Sequence, residues 1–191
     1  MRFPRPGAWL WGAAVLVLDF LSKRYVLAHQ EAFAARIRVL GDVARFAYVR
    51  NPGAAMGLLP GGRWLLVTVS AVLVVVLLVA YRRTAAPGRR AALAAILGGA
   101  LGNLVDRLCY GGLVVDFIDL GIGRHRFYTF NVADMGVTLG GAVLLWSLWR
   151  EDRRREAAAP PAAVFSEQAA GGEPAASGGP GEIPPPPEAP R

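Results

Sequence analysis

The feature that most constrains this chain is a run of 18 residues without a charged side chain, Trp64–Tyr81, which reads WLLVTVSAVLVVVLLVAY. At about 1.5 Å per residue, a helix of that length spans roughly 27 Å, close to the hydrocarbon thickness of a bilayer. Tryptophan and tyrosine at its two ends are typical of the membrane–water interface. The run therefore predicts a transmembrane helix.

Three further apolar runs, at about residues 8–28, 91–108 and 131–149, complete a predicted all-α bundle of four transmembrane helices, residues 1–150. Short arginine-rich flanks lie before the first run, around a predicted Pro87-Gly88 turn between the second and third, and after the fourth. Because basic flanks favour the cytoplasmic side, we expect both termini in the cytoplasm. Some arginines of the first outer segment break the rule: Arg36, Arg38, Arg45, Arg50 and Arg63.

The first run has two interpretations, a cleaved signal peptide or a retained helix. Its basic start and the small residues at 32–35 resemble a signal peptide. Asp19 and Lys23, however, lie inside the run at the i, i+4 spacing that places both on one helix face. A cleaved signal core should not carry an ion pair, so we favour a retained helix whose charges have a structural or functional use.

Between the first two runs, the residues alternate between apolar and polar at Arg36–Leu40 and Val43–Val49, which predicts two strands of a small sheet outside the bilayer. Val114–Leu120 is similarly strand-like. We expect this sheet and a neighbouring loop to close over the site, with glycines 53, 111 and 112 as flexible points. Residues 151–191, rich in Ala, Pro and Gly, predict a disordered cytoplasmic tail.

Several functional classes are poorly supported. The formal net charge is +7, but the arginines flank apolar runs and no nucleic-acid motif accompanies them, so we expect no nucleic-acid binding. Cys109 is the only cysteine, which excludes an internal disulfide and a cysteine-built zinc site. His29 and His125 are far apart and belong to no HExxH pattern, and no serine has a triad context. We therefore expect no metal and no cofactor.

Acidic residues collect where the third apolar run ends and the fourth begins, at Asp106, Asp116, Asp119 and Asp134. Placing carboxylates at a membrane boundary costs free energy unless they form ion pairs, remain hydrated or take part in the function. Two carboxylates held close share a proton, so that one activates water and the other hydrogen-bonds a scissile carbonyl. Acidic residues inside a membrane are equally suited to a proton- or ion-coupled carrier. The charges alone therefore do not decide between hydrolysis and transport. A non-catalytic membrane assembly factor is a third alternative.

Five motifs occur in order along the chain. Asp19 and Lys23 form D-x-x-x-K, and the others are NPGAAMG at 51–57, GGALGNLVDR at 98–107, VVDFID at 114–119 and FNVAD at 130–134. Together, over about Gly7–Arg150, they resemble the motifs of the lipoprotein signal peptidases, the signal peptidase II family of bacteria. Met56 stands where that family usually has an aromatic residue; a flexible methionine fills a similar apolar space, so the difference concerns substrate packing.

The resemblance implies an aspartic endopeptidase of the bacterial inner membrane. It implies cleavage of prolipoproteins before a cysteine that carries diacylglyceryl, near the extracytoplasmic face and among membrane lipids. We expect a monomer. The implied catalytic pair is Asp116 and Asp134. Asp106, which also belongs to a family motif, is the alternative partner, and we rank Asp116 ahead of it. The implied substrate-contacting or site-supporting residues are Asp19, Lys23, Asn51, Gly53, Asn103, Asp106, Arg107, Asn131 and Ala133. We expect Asp106 to form a structural ion pair with the adjacent Arg107, and Asp119 to be a loop or surface residue.

Overall fold

The structure is a computed structural model that describes residues 7–53 and 62–158, and most of this part is helical. In chain order the elements are α1 (Ala8–Ala28), α2 (Gln30–Ala34), β1 (Ile37–Leu40), β2 (Ala44–Asn51), α3 (Gly62–Arg83), α4 (Pro87–Cys109), β3 (Val114–Ile122), β4 (His125–Arg126) and α5 (Val132–Ala158). The predicted combination of long apolar helices with a small antiparallel sheet is confirmed. Residues 54–57 of the NPGAAMG motif and the tail from residue 159 lie outside the described residues.

Helix α4 lies at the centre of the helical bundle and packs against α1, α3 and α5. Its glycines allow this close approach. A methyl group on Gly98 would collide with the carbonyl of Gly12 on α1, and one on Gly99 would collide with the carbonyl of Ala133 on α5. A methyl on Gly140 of α5 would likewise crowd α4. At these positions, the small residues permit close backbone approach between helices.

Three helices within the described residues are long and apolar enough to cross a membrane, over Trp64–Arg83, Pro87–Cys109 and Val132–Ala158. Helix α1 has 21 residues but carries Asp19, Lys23 and Arg24. Asp19 and Lys23 are buried, while most of the large apolar side chains of α1 are exposed. A helix with an apolar exterior and a charged inner face is the reverse of a helix on the surface of a water-soluble protein.

The sheet is four-stranded, in the order β1-β2-β3-β4, and every pairing is antiparallel. The core beneath it joins Val26 at the end of α1 to Phe33 on α2 and to Val115 and Phe117 on β3. The short helix α2 was not anticipated from the sequence. The β2–β3 pairing aligns Asn51 with Val114, so the end of β2 lies beside the start of β3.

Two boundaries differ from the sequence prediction. Pro87 is not in a turn but is the first residue of α4, where its missing N–H costs no helical hydrogen bond. Helix α5 continues to Ala158, so the first eight residues of the expected tail, 151–158, are helical. Glu151 supports this extension because it pairs with Arg155 one turn later, at 2.7 Å, and with Arg89 on α4, at 2.6 Å.

Candidate active site

The candidate site lies where α4 ends, α5 begins and β2 pairs with β3. Asp116, near the start of β3, is only 1% exposed. Its Oδ2 atom accepts a hydrogen bond from Nδ2 of Asn51 at 2.7 Å, and its Oδ1 atom accepts one from Nδ2 of Asn131 at 2.7 Å. The N–H of Gly53 donates to Oδ1 of Asn51 at 2.8 Å, which orients the Asn51 amide toward Asp116. Gly53 has a φ of 79°, a conformation that favours glycine.

Asp134 and Asn131 form a reciprocal cap at the start of α5. The N–H of Asp134 donates to Oδ1 of Asn131 at 3.0 Å, while the N–H of Asn131 donates to Oδ2 of Asp134 at 3.1 Å. The N-x-x-D spacing therefore works as a capping box and fixes both side chains. Since the side chain of Asn131 also donates to Asp116, this single residue contacts both proposed catalytic carboxylates.

Asn103 on α4 connects the site to the helical bundle. Its Nδ2 atom donates to Oδ1 of Asp134 at 2.8 Å, and its Oδ1 atom accepts from Nδ2 of Asn131 at 3.1 Å. One turn later, Nη1 of Arg107 donates to the Asn103 carbonyl at 3.2 Å. The guanidinium of Arg107 is close enough to Asp134 and Asp116 for its positive charge to interact with both. Arg107 therefore lies beside the carboxylate pair.

Lys23 is the centre of a buried polar cluster behind the carboxylates. Its ammonium contacts three oxygen atoms: Oδ2 of Asp19 at 2.7 Å, Oδ2 of Asp106 at 3.0 Å and Oδ1 of Asn103 at 3.0 Å. These match the three donors of a lysine. The predicted Asp19–Lys23 pair is confirmed. The predicted Asp106–Arg107 pair is wrong: neighbouring residues of a helix point in different directions, and Asp106 pairs with Lys23 instead.

The acidic members of this cluster also hold the backbone of the site. Oδ1 of Asp19 accepts the N–H of Ala133 in the first turn of α5 at 2.8 Å. Oδ2 of Asp106 accepts the N–H of Val115, next to Asp116, at 3.0 Å. The contribution of the Val115 N–H was missed, because nothing in the sequence marks a backbone donor. Through these bonds, α1 and α4 set the positions of the two segments that carry Asp116 and Asp134.

The environment of Asp116 favours its protonated form. Burial away from water, together with the negative charge of Asp134, raises the pKa of Asp116 from 3.8 to about 6. The amides of Asn51 and Asn131 oppose this rise by donating hydrogen bonds to the ionised form. A carboxyl with a pKa near 6 beside a second carboxyl is the arrangement that allows one to act as acid and the other as base near neutral pH.

The sequence that forms this site matches a known protein family. The family model of signal peptidase (SPase) II matches residues 12–150. The chain belongs to the signal peptidase II family. Similar curated proteins include the lipoprotein signal peptidase of Syntrophomonas wolfei, 45% identical over 71% of this chain and 89% of its own length. That of Halothermothrix orenii is 37% identical over 73% of this chain and 92% of its own length.

A solved structure described as a bacterial membrane enzyme superposes with a TM-score of 0.67 at 28% identity, covering 78% of this chain and 90% of that one. A second with the same description has a TM-score of 0.66 at 29% identity, covering 74% and 91%. The shared architecture therefore extends over nearly the whole length of these enzymes, and the region matched by the signal peptidase II family contains every residue of the candidate site.

Within this signal peptidase II chain, the structure brings together all the residues that the motifs singled out for the site. It departs from the expectation for Asp119. That residue is not on a loop or the surface but is 5% exposed on β3, with its carboxylate 3.0 Å from the guanidinium of Arg126 on β4. Asp119 thus links β3 to β4, and its charge is paired within the sheet.

Proposed function

We propose that this signal peptidase II chain is an aspartic endopeptidase that removes signal peptides from diacylglyceryl-modified prolipoproteins, cleaving before the lipidated cysteine. Asp116 and Asp134 are its catalytic pair. The observation that carries the proposal is the bridge made by Asn131, whose side chain holds Asp116 and whose cap holds Asp134. A carrier would need no such fixed pair, and no observation favours that alternative.

In the proposed mechanism, Asp134 is the base. It lies in the first turn of α5, where the helix dipole and the backbone N–H of Asn131 stabilise negative charge. Asp134 removes a proton from water while the protonated Asp116 hydrogen-bonds the scissile carbonyl. The hydroxide adds to the carbonyl carbon, the proton moves to the leaving nitrogen, and the C–N bond breaks. The charge of Arg107 beside the pair stabilises the negative charge that develops.

We further propose that α1 is the fourth transmembrane helix, with both termini in the cytoplasm of a bacterial inner membrane and the site at the extracytoplasmic face. The support is the exposed apolar surface of α1 and the arginines at the opposite end of the bundle from the site. We expect the protein to function as a monomer.

The direct test is cleavage by the purified protein. We expect it to shorten a prolipoprotein that carries a diacylglyceryl-modified cysteine and to leave the matched unmodified precursor intact, as measured by mass spectrometry of the products. A proton-flux assay in proteoliposomes serves as the comparison. Proton or ion flux without any cleavage of the modified precursor would contradict the proposal and favour the carrier.

The pH dependence of cleavage tests the role of Asp116. Because the pKa of Asp116 is raised to about 6, we expect kcat/KM to fall as the pH rises through about 6 and this residue loses its proton. Asn51→Ala removes a hydrogen bond that favours the ionised form, so it should move this fall to higher pH. The contribution of Asp116 to the free energy of unfolding changes with pH in the same direction. It is fully present below the unfolded pKa of 3.8 and is lost as the pH rises through about 6.

An unshifted profile in Asn51→Ala would show that the titrating group is not Asp116. The matched control is Arg45→Gln, which changes another residue of β2 whose guanidinium pairs with Asp42 away from the dyad, at 2.5 Å. We expect its kcat/KM profile to superpose on that of the unsubstituted chain.

A further inference from the structure

A cavity of about 520 Å³ lies at the end of the bundle opposite to the candidate active site, between the first turn of α4 and the last turns of α5. Three arginines line it: Arg89 from α4, and Arg150 and Arg154 from α5. Among the described residues, Glu151 is the one acidic side chain that lines it, and Val143 and Trp146 form an apolar wall. The lining therefore carries an excess of two positive charges beside an apolar surface.

Part of this charge is left unmatched. Glu151 pairs with Arg89 at 2.6 Å, whereas Arg150 and Arg154 form no ion pair within residues 7–53 and 62–158. The guanidinium of Arg150 lies 4.8 Å from the ring centre of Trp146, which holds it at the cavity. The Nε atom of Arg89 is buried and has no hydrogen-bond partner in the described part of the chain. Fixed arginines with unused donors are suited to binding phosphate oxygens.

An apolar stripe leads away from these arginines along one face of α5. Leu139, Val143 and Trp146 are 63%, 48% and 57% exposed and follow the i, i+4, i+7 spacing, with Arg150 four residues further on. The stripe from Leu139 to Arg150 is about 16 Å long at 1.5 Å per residue. A ligand that matches both parts has an anionic head and a long apolar chain.

From this juxtaposition, we propose that the cavity between α4 and α5 binds the headgroup phosphate of an anionic membrane phospholipid, with an acyl chain along the stripe of Leu139, Val143 and Trp146. Basic pockets between transmembrane helices on the cytoplasmic side are suited to such headgroups. A soluble phosphate would use the arginines but not the stripe. The site is separate from the peptidase site; it rests on the proposed membrane orientation and not on the proposed peptidase activity.

Native mass spectrometry of the full chain in a zwitterionic detergent tests this. Phosphatidylglycerol is titrated against phosphatidylcholine of the same chain length. We expect one phosphatidylglycerol to bind preferentially, and Arg150→Gln/Arg154→Gln to weaken its apparent affinity about 25-fold, since each arginine near a lipid surface contributes about a factor of five. Arg150→Lys/Arg154→Lys keeps the charge but not the planar donors. Its affinity for phosphatidylglycerol should lie between those of the unsubstituted chain and the glutamine variant.

The matched control is Arg82→Gln/Arg153→Gln. It removes the same charge near the same end of the bundle, but neither residue lines the cavity, and Arg153 stacks on Trp149 instead. We expect this variant to bind phosphatidylglycerol as the unsubstituted chain does, and thermal unfolding in lipid-free detergent checks that every variant is folded. Equal weakening by the control, equal binding of phosphatidylcholine, or displacement of the lipid by inorganic phosphate at equal concentration would each overturn the proposal.

Discussion

Asp116→Asn and Asp134→Asn should each lower kcat for prolipoprotein cleavage by about 10³-fold, the scale of a lost general acid or base. Asparagine keeps the size and shape of aspartate, so the cap on α5 and the pairing of β2 with β3 should persist. An amide, however, neither removes a proton from water nor returns one to the leaving nitrogen. Single-turnover cleavage of a diacylglyceryl-modified precursor measures the loss, and an unchanged KM would show that the substrate still binds.

The chain provides a matched control in Asp119→Asn. Asp119 is on the same strand as Asp116 and is similarly buried, but its carboxylate pairs with Arg126 rather than with the site. We expect Asp119→Asn to keep cleavage activity close to that of the unsubstituted chain. If cleavage survived in both Asp116→Asn and Asp134→Asn, or was lost equally in Asp119→Asn, the assignment of the catalytic pair would be wrong.

Local pattern was sufficient to predict the long elements. The charge-free run at Trp64–Tyr81 and the apolar run at about 91–108 each depend on neighbours in sequence, and the structure has helices at both places. The end of α5 was misjudged because Arg150–Arg155 matches the basic flank of a span. Glu151 supports the extension, because it pairs with Arg155 one turn later and with the distant Arg89. The α2 helix has five residues, too few for a periodic signal.

In the candidate site, too, local sequence pattern and contacts between distant segments determine different features. The motifs identified which polar residues belong to it, but the partner of each depends on contacts between distant segments. Asp106 was assigned to the adjacent Arg107, whereas its carboxylate reaches Lys23, 83 residues earlier in the chain. The Ala133 N–H that binds Asp19 lies 114 residues away from it. The residue types indicated that these buried polar groups need partners. The packing of α1 against α4 determines which partners they have.

These contacts give Lys23 a role that its sequence motif does not convey. Its ammonium is the only cation that contacts both Asp19 and Asp106 within the described residues. Those carboxylates in turn hold the N–H groups of Ala133 and Val115, each adjacent to a proposed catalytic residue. The cation thus stabilises the helix packing and positions the dyad, without contacting either member of the catalytic pair itself.

Lys23→Met should therefore destabilise the protein strongly, by about 3–5 kcal/mol in free energy of unfolding, the usual result of removing one partner from a buried ion pair. Methionine occupies a similar volume, but it leaves the carboxylates of Asp19 and Asp106 close together without a cation, and Oδ1 of Asn103 loses a donor. Denaturant unfolding of the detergent-solubilised protein measures the change.

Two variants separate this explanation from a general loss of packing. Adding Asp106→Asn to Lys23→Met removes one of the two uncompensated charges and should recover part of the lost stability, because the penalty comes from the charge and not from the shape. Arg155→Gln removes an exposed ion pair with Glu151 and should change stability by no more than about 1 kcal/mol. If the double variant were less stable than Lys23→Met alone, the carboxylates would be stabilised by something other than the lysine, and the central role of Lys23 in this cluster would have to be abandoned.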